Sequence, residues 1–450
     1  MRESYMQRLR ELECENATMK REKQRREIHE KQWLYGRPTS SLGFNEWHGG
    51  EVPREVKAEL QRCHREQEHL LSSKRKGQKL NVTQQLRQQM LARQMARIHE
   101  KMVKVDEERE NFYFAWRRFH QEETSHYLKN IALTNKYPLL ENGRYLVLSL
   151  LGKGGFSEVY QGYDLLRNRR LALKLHHISE AWTPAQKENF LKHAQRETAT
   201  HAKMEHPHII KCYGTHVVDS SRFFTLLEYC QGCDLLEYQR RCNGRLDERE
   251  AKLVLAQLLS ALHYMSRSEP GRGAVIHYDI KPQNILLSEQ GFVKVADFGL
   301  CKLVGKDEAG GGAGSVEITS QGVGTYWYLP PETFYTRTES YVPTITQKVD
   351  VWSVGVVFFE MLYGVKPFGE GMTPSAIVHE KAILCAKEVS FPDELKKLKS
   401  DNLQLLRAKG AKVSPDAKNF IRNCLKHSEA DRYSVHDACS DRYIADLINK

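Results

Sequence analysis

A break at Tyr137-Pro138 divides this chain into two regimes, and no single compact fold class accommodates both. Residues 1–35 are rich in Arg, Glu, Lys and Gln and carry neither Pro nor Gly before Gly36, so they read as an exposed basic helix. Residues 36–54 gather Gly, Pro and Ser and read as a linker. From there to residue 135 the pattern is again helical, interrupted by the basic patch SSKRKGQK at 72–79. Past the break, strand-like runs crowd together: YLVLSLLG, EVYQGYD, RLALKLH and FFTLLEY all fall within residues 145–230, with one helical stretch at about 186–204 among them. Residues 246–266 and nearly everything after 346 are helical. The expected class is α+β: a small sheet-rich lobe (145–230) and a larger helical lobe (231–445) in one bilobal domain, 140–445, behind a long helical region. A hydrophobic fraction of 40% in 450 residues is ample for real cores, and the mean hydropathy of −0.60 reflects the polar helices in front.

Within the helical region (55–135) a seam runs through Leu91, Met95, Ile98, Met102, Val105, Arg109, Phe112, Trp116 and Phe119, spaced by alternating steps of four and three. A 3.5-residue repeat draws one stripe along a helix, and a partner must cover it. Two covers are open: a second copy, giving a homodimer or higher oligomer, or other helices of the same chain. The first is expected, because nothing nearby in sequence is apolar enough to cover so long a stripe.

The net charge is +11, and residues 1–135 hold 27 Lys/Arg against 20 Asp/Glu, or +7 of it. Such a balance favours acidic partners, chromatin or nucleic acid among them, though a solvated helix surface explains it equally well. The ten cysteines form no framework. Cys230 and Cys233 make one C-x-x-C, without the second pair or the histidines that a zinc site needs, and reduced thiols in an intracellular protein are expected. The start lacks an apolar h-region and no run of about 18 apolar residues exists, so neither a signal peptide nor a membrane helix is expected.

The chemistry-bearing pieces come in a fixed order. GKGGFSEV (152–159) follows the first strand; its glycines let backbone approach a phosphate chain closely, and the absence of G-K-[ST] excludes a Walker A loop. Ala172-Leu173-Lys174 lies in a strand, where a buried Lys is costly unless paired. HYDIKPQN (277–284) is followed, thirteen residues after Asn284, by Asp297-Phe298-Gly299. GTYWYLPPE (324–332) and DVWSVG (350–355) come next. Each piece alone is modest evidence; the order and spacing together resemble the protein-kinase signature over roughly residues 140–445.

That resemblance implies the site. Leu151, Gly152, Lys153, Gly154, Gly155, Phe156 and Ser157 would cover the ATP phosphates, and Lys174 would hold them while paired with Glu197. Adenine would lie between Val159, Ala172, Leu227 and Leu286, against the hinge Glu228 to Cys230, with Asp234 beyond it. Asp279 would orient the substrate hydroxyl, Lys281 would reach the transferring phosphoryl group, and Asn284 and Asp297 would hold Mg²⁺. Lys281-Pro282 and Thr325 follow the Ser/Thr pattern, and Glu332 would pair with Arg432 inside the helical lobe.

GKGGFSEVY, HYDIKPQNILL, TSQGVGTYWYLPPE and KVDVWSVGVVFFEMLYGVKPFG, behind a basic helical region, closely resemble the Tousled-like kinases. This implies a nuclear Ser/Thr kinase acting on a histone chaperone of the anti-silencing-function type, and on histones, in chromatin assembly. Direct nucleic-acid binding is left open, and no membrane partner is expected. The alternatives are a pseudokinase scaffold, or a Ser/Thr kinase of another group. Tyr278 stands where many kinases carry an Arg that pairs with a phosphate on the activation segment, here Asp297–Glu332. Tyr cannot make that pair, so the segment should be ordered by other means, with Ser315, Thr319 and Ser320 still open to phosphorylation.

Overall fold

The computed structural model describes residues 2–40, 43–75, 81–134, 136–154, 157–178, 181–219, 222–269, 272–304, 316–317, 325–335, 344–386, 388–394, 408 and 410–448. They form two compact units, 1–177 and 178–450. The division between these units falls after the strand bearing Lys174, because the helical region packs onto the first strands of the sheet.

The first unit runs α1 (Arg2–Tyr35), β1 (Arg37–Ser40), β2 (Gly43–His48), α2 (Glu51–Arg75), α3 (Val82–Glu123), α4 (Ile131–Thr134), β3 (Leu139–Leu140), β4 (Tyr145–Lys153), β5 (Ser157–Asp164) and β6 (Arg169–His177). The expected linker is in fact a β-hairpin, with Arg37 opposite His48, and α2 already begins at Glu51. Its strands are too short to register as a pattern, and glycines make it possible. Gly36 and Gly50 have φ of 93° and 91°. A Cβ on Gly50 would lie 2.4 Å from the Tyr35 carbonyl carbon. Gly50→Ala is therefore expected to destabilise the fold by at least about 2 kcal/mol. Gly143→Ala, also at positive φ but with open space around it, should cost only about 1 kcal/mol. Urea unfolding of the two variants compares them.

Helix α3 starts on a capping box, Asn81 with Gln84. Much of the seam is covered within the chain, by the second of the two covers the sequence left open, while Met102 stays 37% exposed. Leu91, Ile98 and Val105 are buried with Val56 and Cys63 of α2, while Phe112 and Phe119 are buried with Ile28 of α1. Each such side chain contributes about 2 kcal/mol. The cover comes from helices that are polar on average, each supplying only a few apolar residues. Arg109, the one polar seam position, donates from Nε to the Tyr35 carbonyl (2.9 Å) at the α1 C-terminus and lies 5.2 Å over the Trp47 ring. A cation there satisfies a helix-end carbonyl and favours the dipole. Strands β3 to β6 then follow as an antiparallel meander.

The second unit opens with α5 (Pro184–His201), the hairpin β7 (Cys212–Asp219) and β8 (Arg222–Glu228), β9 (Gly232–Asp234), α6 (Leu235–Arg241) and α7 (Glu248–Ser266). β10 (Ala274–Ile276), β11 (Ile285–Ser288), β12 (Val293–Val295), β13 (Lys302–Val304), β14 (Val316–Glu317) and β15 (Thr344–Ile345) follow. The chain then enters α8 (Lys348–Tyr363), α9 (Pro374–His379), α10 (Pro415–Cys424), α11 (Val435–Ser440) and α12 (Ala445–Ile448). Helix α8 is apolar nearly all round and sits at the centre of the core with α7, α10 and α11. Gly355 permits the approach of α10: a Cβ there would lie 2.7 Å from that of Cys424. The expected α+β class holds. Among the described residues no helix is long and apolar enough to cross a membrane.

Candidate active site

In the first unit, β4 and β5 form the hairpin whose tip is the glycine-rich loop. Gly152 pairs with Val159 and Lys153 with Glu158, and the Gly154 amide donates to the Ser157 carbonyl at 2.8 Å. Gly155 and Phe156 lie outside the described residues. A Cβ on Gly152 would meet nothing within 4 Å, so the fold itself does not require glycine there. Glycine there leaves the backbone open to close approach by a ligand. Val159 lies opposite Lys174 on β6, and Ala172 is two residues from Lys174, so the three share a sheet face. The side chain of Glu197, on α5, lies outside the described residues.

In the second unit, β11 and β12 are antiparallel, with Ile285 opposite Val295. The Ala296 amide donates to the Asn284 carbonyl (2.9 Å), which sets Asp297 one residue from Asn284's neighbour. The catalytic-loop residues meet in one network. Lys281 Nζ donates to Asp279 Oδ2 (2.7 Å) and to Thr325 Oγ1 (3.2 Å). Asn284 Nδ2 donates to the same Asp279 Oδ2 (2.8 Å) and to the Asp279 carbonyl (2.9 Å). Asp279 is 8% exposed. Burial pushes its carboxyl above the ordinary range; Lys281 opposes this, and the Asp297 charge adds to it. Such a group is a poised hydrogen-bond acceptor.

Two devices hold this loop. Asp350, in the first turn of α8, accepts the backbone amides of His277 (2.7 Å) and Tyr278 (2.8 Å). Burial raises its carboxyl to about 6 against the pull of those two bonds. The clamp fixes Tyr278 at φ 66°, a left-handed conformation that an unbraced Tyr avoids. Phe298 in turn is buried between His201 of α5 (ring centroids 4.2 Å) and His277 (4.9 Å), which fixes Asp297, itself at φ 63°. DVWSVG was visible in sequence, but nothing marked Asp350 as the brace, since its partners are backbone amides 72 and 73 residues away.

The ring of Tyr278 is buried with Ile276, Leu329, Ile345 and Val349, and the Lys302 ammonium lies 5.3 Å over it. Packing and a cation–π contact thus occupy the place of a phosphate-pairing Arg. β13 pairs with β10 and β14 with β15, which anchors two stretches of the activation segment. Ser315, Thr319 and Ser320 lie outside the described residues. Tyr278→Arg puts a guanidinium into an apolar cluster beside Lys302. The expected loss is roughly 2–3 kcal/mol, against under about 1 for Tyr278→Phe, by urea unfolding.

Elsewhere the predicted residues scatter into different tasks. Leu227 and Glu228 end β8, and the Glu228 carboxylate accepts from Lys294 Nζ (2.8 Å) and the Lys211 amide (3.0 Å). Cys230 and Cys233 are not in disulfides, and burial raises Cys230 to about 11. Asp234 caps α6, accepting from the Glu237 amide at 2.8 Å, and pairs with Leu286 across β9 and β11. Glu332 and Arg432 form a buried two-pronged pair, at 2.6 and 2.9 Å.

Fit to Mg²⁺ can be judged from the donors. With Nδ2 bound to Asp279, Asn284 presents its carbonyl oxygen, and Asp297 supplies a carboxylate; both are hard donors. Two protein ligands suit a Mg²⁺ that takes phosphate and water for the rest. No group of three or more His, Cys, Asp or Glu competes for a metal among the described residues.

Comparison with known proteins agrees with this geometry. Residues 145–444 match the family described as protein kinase domain. The human serine/threonine-protein kinase tousled-like 1 is 44% identical over 306 residues, covering 67% of this chain and 37% of that protein. Tousled-like 2 of Xenopus tropicalis is 39% identical over 363 residues, 80% of this chain and 48% of its own length. TOUSLED of Arabidopsis thaliana is 41% identical over 311 residues, 69% and 41%. The chain thus spans less than half the length of these relatives. On the match over residues 145–444, the chain belongs to the protein kinase family, and its relatives there are the Tousled-like kinases.

Proposed function

We propose that this protein transfers the γ-phosphate of ATP to Ser or Thr hydroxyls of protein substrates. The observation that carries the reading is the network in which Lys281 joins Asp279 to Thr325 while Asn284 holds the same Asp279 oxygen. Phosphoryl transfer asks a protein for positioning and charge neutralisation more than for covalent chemistry. Asp279 accepts the hydrogen bond of the incoming hydroxyl and orients its oxygen. Lys281 places a positive charge beside that oxygen, and Thr325 holds Lys281 from the activation segment. Asn284 and Asp297 would hold Mg²⁺, which supplies charge neutralisation to the phosphates when bound. Lys174 and the glycine-rich loop bind and align the nucleotide.

The substrates we propose are acidic chromatin proteins, a histone chaperone of the anti-silencing-function type first, in the nucleus. The charge of +7 in residues 1–135 supports this, as do the exposed Lys20, Lys23, Arg25 and Arg26 on α1. Labelled-ATP transfer to a purified chaperone of this type tests the reading. Transfer onto Ser or Thr that falls steeply between about 50 and 200 mM salt is expected from charge-guided docking. Transfer to generic basic substrates alone would favour a kinase of another group. The scaffold reading is disfavoured by the network, which has no structural need for a buried carboxylate shared by a Lys and an Asn.

A further inference from the structure

We propose that Glu158 is a positioning residue for the glycine-rich loop, and that the turn after α3 is the outer jaw that holds it. The proposal rests on reading residues 152–159 as the nucleotide loop. Lys153 and Glu158 are register partners at the base of that loop, and their side chains close it with an ion pair of 2.8 Å. Glu158 is only 4% exposed, so its carboxylate needs partners. It accepts from the His126 amide (3.0 Å) and from the Tyr160 hydroxyl, and His177 Nε2 lies 3.5 Å away. Burial pushes its pKa up, but the bonds from His177, Lys153, Tyr160 and the His126 amide outweigh this and hold it well below the usual range. The group is therefore a charged, fully engaged anchor.

The helical region supplies the other side of the grip. Lys153 Nζ also donates to the Thr124 carbonyl (3.2 Å), and the Tyr127 amide donates to the Tyr160 hydroxyl (3.3 Å). Just before them, Glu122 accepts the Leu150 amide (2.9 Å) where β4 bulges, and faces Arg21 of α1 at 3.3 Å. Buried Ser125 shapes the turn, donating to the Glu122 carbonyl (2.8 Å) and accepting from the Leu128 amide (3.3 Å). Six residues, Glu122 to Tyr127, thus hold both strands of the hairpin close to its tip. Ordering the strands beforehand lowers the entropy lost when a nucleotide binds beside them. The gain appears in nucleotide binding, and the chemical step is untouched.

The test uses the whole chain. KM for ATP and kcat are measured for Glu158→Gln and Ser125→Ala, and Kd for Mg·ATP is measured by calorimetry, all well below the lowest melting point. Glu158→Gln removes the charge at nearly constant shape. Ser125→Ala touches neither the loop nor the nucleotide; it acts through the turn and through the Tyr160 hydroxyl, to which the Ser125 side chain is hydrogen-bonded. Glu158→Gln is expected to raise KM and Kd about fivefold and Ser125→Ala about threefold, with kcat within about twofold. Unchanged nucleotide affinity in Glu158→Gln would overturn the positioning role. A rise in Glu158→Gln with none in Ser125→Ala would overturn the jaw. A wild-type chain that binds no nucleotide would overturn the underlying active-site reading instead, a separate outcome.

Discussion

Asp279→Asn is expected to lower kcat by roughly 10²–10⁴-fold, the usual worth of a positioned proton acceptor. KM for ATP should change little, because the role proposed for Asp279 is toward the substrate hydroxyl and not the nucleotide. Asn keeps the shape, so the bonds from Asn284 and Lys281 can re-form in part, and the melting point should stay near that of the wild type. The loss comes from charge: a neutral amide accepts the substrate hydroxyl weakly and leaves Lys281 without its carboxylate partner at 2.7 Å. The pH profile carries the same signature. Burial raises the Asp279 carboxyl above its ordinary 3.8, so the proton is lost later and the acid limb of kcat should lie above that of a free Asp. Steady-state rates across pH check both statements. An Asp279→Asn variant of wild-type kcat would remove Asp279 from the chemistry.

Arg432→Met is expected to destabilise the chain by about 3–5 kcal/mol, the cost of leaving a buried carboxylate alone. Glu332 is 7% exposed and Arg432 2%. The guanidinium also donates to the Lys426 carbonyl (3.0 Å) and stacks 5.0 Å from Trp352, in the middle of the helical core. Met fills the volume but satisfies none of these acceptors. Adding Glu332→Met should recover a large part of the loss, since an apolar pair of similar size removes the stranded charge. Urea unfolding of the single and double variants measures the coupling. Because Glu332 closes the activation segment, the single variant should also lose activity at temperatures where it is still folded.

The loop from His277 to Asn284 was readable in sequence because its motif is short, with Asp279, Lys281 and Asn284 inside six residues, but the role of each came from the family resemblance and not from the spacing. Glu332 and Arg432, a hundred residues apart, were readable only through the family pattern, since nothing local links them. The seam was legible as a stripe, but its cover was not. A helical period tells which face is buried, whereas the partner is chosen by distant residues such as Ile28 and Val56. The hairpin at 37–48 was missed because its glycines resemble a linker until their φ angles are known. Glu158 and Asp350 were missed for a common reason. Much of what holds them is backbone N–H, at His126, His277 and Tyr278, and a backbone donor leaves no mark in a sequence.

The central claim is that Asp279, Asn284 and Asp297 act together on a metal-bound nucleotide. The most direct test is transfer of the labelled γ-phosphate by the purified chain over a range of Mg²⁺ concentrations, for the wild type and Asp297→Asn, with phosphoamino-acid identification. The predicted result is labelled phosphoserine or phosphothreonine that requires Mg²⁺, together with a variant whose transfer is reduced at least about a hundredfold at any Mg²⁺ concentration. Equal transfer by the variant, or none by a folded, nucleotide-bound wild type, would contradict it.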